Sequence, residues 1–398
     1  MTTLTDKIYN LCKARGFVFQ SSDIYGGMTG SVDYGHYGTL MKKNISDLWW
    51  KNFVSNRKNS VGIDTSIIQN SKVWETAGHV ERFKDIQVEC KSCNKRYRAD
   101  HLNPYLNSTE LHIIDARIRE EQFKCECGKA TFSNAKDFNL LFETKSGNAL
   151  TYLRPETAQG IFIQFNNICT TSRQKIPFGV GQIGKSFRNE INPSNFLFRL
   201  REFTQMEYEF FCRPSESHEC FQYWVKECYN WLVKYGIDAK KLVLNEIPAE
   251  ELAFYSTETT DIEFQYPFGW GELWGIANRG DYDLKQHSEA SGKSLVYRDE
   301  KEQFTPHVIE PAVGLDRLIY AFLCSSYTEQ VLEKETRVYL NLHPDVAPVK
   351  YAILPLSKKD ELITICDSMY SKINASTEID TTGSIGKRYR RYDEIGTP

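Results

Sequence analysis

The chain has 398 residues, 41% of them hydrophobic and 25% charged, with a formal net charge of −3 at pH 7. That length exceeds one simple core and predicts two or three domains. The small negative charge excludes a globally basic nucleic-acid binder, so any such partner must be met by a local patch.

No apolar run is long enough for a membrane span, so no membrane partner is expected. The N-terminal "MTTLTDKIYNLCKARGF" lacks the long apolar stretch of a secretory signal, and a cytoplasmic location is expected. Eleven cysteines, an odd number, argue against a disulfide framework. Seven are scattered (Cys12, Cys169, Cys212, Cys220, Cys228, Cys324 and Cys366) and read mostly as buried small apolar residues.

In chain order, "IYGGMTGSVDYGHYG" reads as loops and turns. It feeds a helix in which Met41, Ile45, Leu48, Trp49 and Phe53 keep helical spacing, with Thr39 as the expected N-cap. Residues 84–145 are polar and cysteine-bearing and read as an inserted subdomain. Residues 150–211 are strand-rich. A helix follows, with Phe221, Val225, Cys228, Trp231 and Leu232 on one face. An apolar strand and a helix occupy 307–324. From 344 the texture changes. "KYAILPL" reads as a strand, and a helix follows with Ser357 and Asp360 as a capping signal and Leu362, Ile365, Met369 and Ile373 on one face. This predicts a separate α/β domain over 344–398, thin for an independent core and expected to be incomplete. The best basic patch, "GKRYRRY" at 386–392, lies in it.

The charged stretch 181–211 carries the chemistry. Read as a strand, "GQIGKSFRNEI" puts Arg188 and Glu190 on one face with Gly184 and Ser186. Small neighbours beside charges read as a ligand floor. "FRLREFTQMEYEFF" puts Arg199, Arg201, Phe203, Gln205, Glu207 and Glu209 on one face. Paired antiparallel, the two strands would present arginines suited to phosphate, carboxylates suited to an amine, and a ring for a base. The competing reading is a solvated face laced with ion pairs. Arg154 and Glu156 sit where a strand meets a helix, with Pro155 expected at the first helical position. Val308 and Glu310 share a strand face, and Leu315, Leu318, Ile319 and Phe322 anchor the next helix. Arg317 falls in that helix's first turn, unfavourable to the helix dipole unless an anion binds there.

These residues carry a resemblance. "FRNE" with "FRLREF" resembles motif 2 of class II aminoacyl-tRNA synthetases, and "VGLDR" resembles motif 3. "LRPETAQGIF", "REFTQMEYEFF", "VWETAGHV", "RYRADHL" and "GKRYRRYDEIGTP" are similar to the dimeric glycyl-tRNA synthetases, from about residue 8 to the end. The resemblance implies an α+β fold: a class II catalytic core over 1–340, an antiparallel sheet flanked by helices, with the 84–145 insertion. A truncated anticodon-binding α/β domain over 344–398 would follow.

The resemblance also implies substrates, partners and roles. The substrates would be glycine, ATP with Mg²⁺, and tRNA(Gly), and the chain would form a homodimer. Arg188 would clamp the α-phosphate, Glu190 would read the adenine amine, Phe203 would stack on adenine, and Arg317 would bind the γ-phosphate. Glu272 would help to hold Mg²⁺. Asn189, Phe198, Arg199, Leu200, Arg201, Glu202, Leu273, Gly314, Leu315 and Asp316 would complete the ATP site. Glu156, Glu207 and Glu310 would surround the glycine ammonium, with Arg98 near the substrate. Thr204, Gln205, Met206, Pro311, Ala312 and Val313, together with Phe203 and Gly314, would line the amino-acid site. No side-chain nucleophile is needed, because the glycine carboxylate attacks in line.

The sequence departs from the family pattern in two places. "YGHYG", with His36 and Tyr37, replaces "YGPLG", and "EPA", with Ala312, replaces "EPS". The second change removes a hydroxyl expected near the substrate.

Cys90-x-x-Cys93 and Cys125-x-Cys127 form two close pairs, a zinc-ribbon pattern except that the second spacing is one residue short. His101 and His112 lie between them as substitutes. Reduced structural cysteines are the alternative. Two other functions compete with an active synthetase: a catalytically dead binding relative, and a class II enzyme for another small amino acid. Retention of Arg188, Glu190, Phe203 and Arg317 favours the enzyme, and three glutamates favour glycine.

Overall fold

A computed structural model describes residues 3–398 except 104, 105, 107–109, 122 and 334. Its centre, among the described residues, is a seven-stranded sheet. In chain order the strands are β1 (Ser60–Gly62), β2 (Phe178–Phe187), β3 (Glu202–Cys212), β4 (Leu242–Glu246), β5 (Glu258–Tyr266), β6 (Gly269–Gly280) and β7 (His307–Gly314). They lie in the spatial order β4-β5-β6-β7-β3-β2-β1. Every pairing is antiparallel except β1 with β2. The architecture is α+β, an antiparallel sheet flanked by helices, as expected.

The alternation of β3 separates two environments. Met206, Tyr208 and Phe210 point into the main core, which also holds helices α1 (His36–Trp50), α2 (Ser217–Lys234) and α3 (Leu315–Ser326). On the other face Phe211 joins a second cluster with Val308, Phe162 and Phe165. Glu207 and Glu209 share that second face and are buried at 2% and 0% exposure. A strand with apolar residues on one side and acids buried on the other needs those acids paired or functional.

α1 begins at His36, earlier than the Thr39 cap predicts. Gly35 is the N-cap, where a Cβ would lie 2.3 Å from the Gly16 carbonyl oxygen. Glycine is required there by close approach, and the backbone rather than a threonine hydroxyl starts the helix. Phe53 follows in a π-helical turn, Lys51–Ser55. Its ring stacks on Trp49 at 5.3 Å and on Trp224 at 5.8 Å. Both tryptophans of the pair are used. Trp49 fills the core, and Trp50 lies over Gly62, where any Cβ would meet it at 2.2 Å. In α2 the buried face includes Trp224, which the apolar spacing missed.

Residues 84–139 form a three-stranded sheet (Arg96–Arg98, Lys84–Glu89, Lys136–Asn139) with the helix Leu111–Glu121. Val88, Tyr97, Ile114, Ile118 and Phe132 make its own small core. Further on, Tyr351–Ile353 pairs in parallel with Thr377–Ile379. The helix Asp360–Tyr370 starts from Lys359 without a side-chain cap, not from Ser357. Its face is open: Cys366 is buried, but Ile365 and Met369 are about half exposed. The basic stretch at 386–392 is not a free patch. It lies in the helix Ile385–Ile395, where Arg388 is buried against the carbonyls of Pro355 and Asp380. Arg390 pairs with Glu335 and Arg391 with Asp380. Intramolecular acceptors consume these cations.

Candidate active site

β2 and β3 form the hairpin that the charged stretch predicts, but it is shorter than expected. The ladder ends at Phe187 opposite Glu202. Arg188, Glu190, Arg199 and Arg201 therefore lie in the connecting loop rather than on strand faces. The loop is tied by the Arg188 N–H to the Arg201 carbonyl, and by Arg201 Nε and Nη2 to the Glu190 carbonyl. The small residues of β2 are not an open floor either. A Cβ on Gly184 would stand 2.1 Å from the Arg154 guanidinium, and Ser186 is buried, donating to Gln205. Gly184 makes room for a structural arginine, which is fixed by the carbonyls of Lys185 and Thr65. Pro155 lies two residues before the N-cap Thr157, outside the helix Ala158–Ile163.

A cleft of about 440 Å³ opens over β3, β5, β6 and β7. It gathers Glu156, Arg188, Glu190, Phe198, Arg199, Leu200, Phe203, Gln205, Glu207, Glu272, Glu310, Ala312, Val313, Gly314, Asp316 and Arg317. The remaining expected residues do not line it. Met206, Leu273 and Leu315 belong to the main core. Thr204 receives the Lys42 ammonium on its hydroxyl and donates its N–H to Asp316. Pro311 lies in β7, Asn189 is tied through its N–H to the Leu140 carbonyl, and Arg201 braces the loop. Glu202 pairs with Lys185 at 2.7 Å on the exposed edge of the hairpin, which explains an acid on an otherwise apolar strand face. Arg98 does not line the cleft; it is held by Asp100 and, at 3.5 Å, by Asp85, close enough to the rim to feel the charge of Glu190.

At the cleft mouth the cations are aimed by backbone oxygens. Arg188 Nε donates to the Pro155 carbonyl, and its guanidinium lies 5.3 Å from the Phe203 ring. Arg317 Nε donates to the Phe198 carbonyl, stacks over the Phe198 ring at 4.3 Å, and meets Glu272 at 3.1 Å. Asp261, absent from the sequence reading, stands near Glu272. Desolvation, then Glu272 and Glu263, push it up to about 7. A Cβ on Gly275 would lie 3.5 Å from Asp261 and 3.6 Å from Glu272, so the two carboxylates converge above that glycine. Two oxygen donors beside a phosphate-type cleft fit a hard divalent cation.

The inner end is an acid pit. Arg279, also missed, is buried behind the pit's acids at 1% exposure. It pairs with Asp283 at 2.7 Å, Glu310 at 2.6 Å and Glu156 at 3.9 Å. Its position four residues before Asp283 was the sequence signal. Burial opposes ionisation of Glu156, but His79 at 3.3 Å and Arg279 outweigh it and hold that carboxyl below its ordinary range. Glu207 accepts from Thr157, yet burial, Glu310 and Glu156 push it up to about 8. Carboxylates outnumber cations here, so the pit is built to receive a positive group.

The four cysteines come together, with one sulfur from each within 4.8 Å of the others. A tetrathiolate cluster fits a soft tetrahedral metal. The two histidines do not join it. His101 lies beside Arg199 at 3.4 Å, and His112 beside Glu110 at 3.3 Å.

Residues 140–326 match the family model described as tRNA synthetase class II core domain (G, H, P, S and T). Solved structures agree in fold. Giardia lamblia prolyl-tRNA synthetase in complex with prolyl-adenylate superposes with a TM-score of 0.68 at 16% identity, covering 100% of this chain and 69% of that one. The Cryptosporidium parvum prolyl enzyme complexed with L-proline and AMP gives 0.65 at 14% identity, covering 100% and 67%. Sheet, cleft and motifs thus define a class II aminoacyl-tRNA synthetase. Among curated relatives, the glycine–tRNA ligase of Caldanaerobacter subterraneus subsp. tengcongensis is 50% identical over 411 residues, 99% of this chain and 89% of that protein. The glycine–tRNA ligase of Alkaliphilus oremlandii is 48% identical over 414 residues, again 99% and 89%. The chain belongs to the glycine–tRNA ligase family.

Proposed function

We propose that the chain activates glycine with ATP and transfers it to tRNA(Gly). The carrying observation is the buried acid pit of Glu156, Glu207 and Glu310 opening directly into an arginine-lined cleft. An ammonium group satisfies the pit and polyphosphate satisfies the cleft. The glycine carboxylate oxygen attacks the α-phosphorus, the bond to the bridging oxygen breaks, and pyrophosphate leaves. The terminal ribose hydroxyl of tRNA then attacks the adenylate carbonyl and AMP departs.

Arg188 would meet the α-phosphate, where negative charge grows in the transition state. Arg317 would meet the γ-phosphate, Phe203 would stack on adenine, and Glu190 would accept from its amine. Glu272, with Asp261, would hold Mg²⁺, which neutralises phosphate charge when bound. Arg98 ends a strand of the inserted sheet beside the cleft rim, and in this reading it would meet substrate from the side of Glu190. The test is amino-acid-dependent ATP–pyrophosphate exchange. Glycine supports it and alanine and serine support little. A well-folded protein giving no exchange with any amino acid would overturn the reading.

Several finer assignments belong to the same proposal. Residues 1–340 would be the catalytic domain with 84–145 inserted, and 344–398 the start of an anticodon-binding domain. The protein would work as a cytoplasmic homodimer. Among the described residues no helix is long and apolar enough to cross a membrane. Phe19, Ile24, Tyr25 and Met28 leave apolar surface exposed near α1, the side expected to meet a second copy. Cys90, Cys93, Cys125 and Cys127 would hold one structural Zn²⁺. Metal analysis of purified protein should give about one equivalent, and less than about a tenth would exclude it.

A further inference from the structure

Beneath the pit lies a fourth glutamate, on the same strand face as Glu207, to which neither the resemblance nor the proposed chemistry gives a role. Glu209 is fully buried, and neither of its carboxyl oxygens has a well-formed hydrogen bond. β3 pairs with β7 so that Glu207 faces Ala312 and Phe210 faces Ile309. That register sets Glu209 opposite Glu310. One carboxyl oxygen from each of Glu207, Glu209 and Glu310 lies within 4.8 Å of the others. Two ionised carboxylates opposite each other in a sheet repel, and in a dry interior the repulsion is large. Among the facing groups only Arg279 opposes it at Glu209, and burial with the two neighbouring acids outweighs that guanidinium. Arg279 on β6 is engaged by Asp283 and Glu310, and Glu156 beyond it is a further acid.

We propose that Glu209 is a positioning residue for amino-acid binding, a neutral carboxylic acid whose O–H is shared with Glu310 and turns that carboxylate toward the substrate ammonium. Burial, with Glu310 and Glu207 beside it, holds the Glu209 carboxyl well above its ordinary range. A neutral acid in this position resolves the like-charge pair without a second buried cation. It gives Glu310 a donor on one side while Arg279 serves the other, and so fixes its orientation before substrate arrives. Glu209 itself touches no substrate atom. The inference rests on the ammonium-binding role of the pit proposed above.

The test compares E209M with E209Q in the intact protein. Methionine fills the volume but donates nothing, and glutamine restores a neutral donor. For E209M the KM for glycine in pyrophosphate exchange should rise about tenfold or more, with the KM for ATP within about twofold. E209Q should rescue glycine KM to within about threefold of the unaltered protein. A merely structural role would move both KM values together. An unchanged glycine KM in folded E209M, or a loss in E209Q equal to that in E209M, overturns the proposal. If E209M does not fold, infrared spectroscopy carries the test. The difference between the unaltered protein and E209Q should contain the carbonyl stretch of a neutral carboxyl group, and its absence overturns the proposal. Failure of the unaltered protein to exchange would sink the glycine reading instead, while the infrared outcome still decides the state of Glu209.

Discussion

The two ends of the cleft solve opposite electrostatic problems with different architecture. At the inner end, acids project from strand interiors of β3 and β7 and are almost wholly buried. At the mouth, arginines come from a loop and a helix start, stay partly exposed, and are aimed by carbonyls of Pro155 and Phe198. Neutral carbonyl anchors aim both guanidiniums without cancelling their charge, although Arg317 also shares its charge with Glu272 at 3.1 Å. The pit gathers more acids than cations, which in the proposed function a substrate ammonium would complete. Under the proposed function the strand-borne end would select a small cation, and the loop-borne end would adapt to a large flexible anion.

The largest effect should come from removing the buried cation of the pit. Arg279→Leu leaves Asp283, Glu310 and Glu156 with no guanidinium between them. Breaking a buried pair by deleting one partner costs about 3–5 kcal/mol. Urea unfolding should show that loss, and glycine-dependent exchange should vanish with it. Arg188→Ala should separate the two ends. Exchange should fall about 10²–10³-fold, the effect of losing one donor to developing charge. The melting temperature should barely move, because what is lost is one carbonyl hydrogen bond and loose ring contacts with Phe83 and Phe203. A collapse in stability would make Arg188 structural and would remove the contrast between a rigid pit and an adaptable mouth.

The same contrast explains what was legible in the sequence. Period-two alternation reads strand interiors well. Phe203, Gln205 and Glu207 line the cleft and Met206 and Tyr208 the core, as their phase requires. Alternation fails at Arg188, Glu190, Arg199 and Arg201, because the ladder stops at Phe187 and a loop obeys no period. Gly184 misled for a related reason. A missing side chain shows in the sequence, but whether solvent or the Arg154 guanidinium fills the space does not. Arg279 and Asp261 were passed over, and Glu209 was placed on the ligand face without a role, because each gains its meaning from strands far away in sequence. The paired cations of "GKRYRRY" looked like a patch for the same reason, since their acceptors lie elsewhere in the chain.

A smaller effect tests the charge balance of the pit through pH. Glu207 is raised from its ordinary range to about 8 by burial and by Glu310 and Glu156. In the free protein the folded state therefore holds a proton that the unfolded chain releases at lower pH. The contribution is fully present below the unfolded value and is lost as pH rises through about 8, so stability falls across that window. An entering ammonium favours the ionised form, so glycine binding should release a proton on the acid side of pH 8. Calorimetry in buffers of different ionisation enthalpy should detect it. Glu207→Gln should abolish both the proton release and the stability slope. A release that persists in the variant would assign the titration to another member of the pit.

The smallest effect concerns Ala312, which lines the cleft opposite Glu207 across the β3–β7 ladder. The family pattern places a serine there. Ala312→Ser adds one hydroxyl at the junction of pit and mouth, where the glycine carboxylate must lie if its ammonium sits among the glutamates. A hydrogen bond to a charged group formed equally in ground and transition states lowers KM and leaves kcat alone. The glycine KM should therefore fall about three- to tenfold with kcat and the ATP KM unchanged. A change in kcat instead would mean that the hydroxyl meets charge developing on the α-phosphate. The boundary between the two ends would then lie deeper than Ala312, and the pit would hold the ammonium alone.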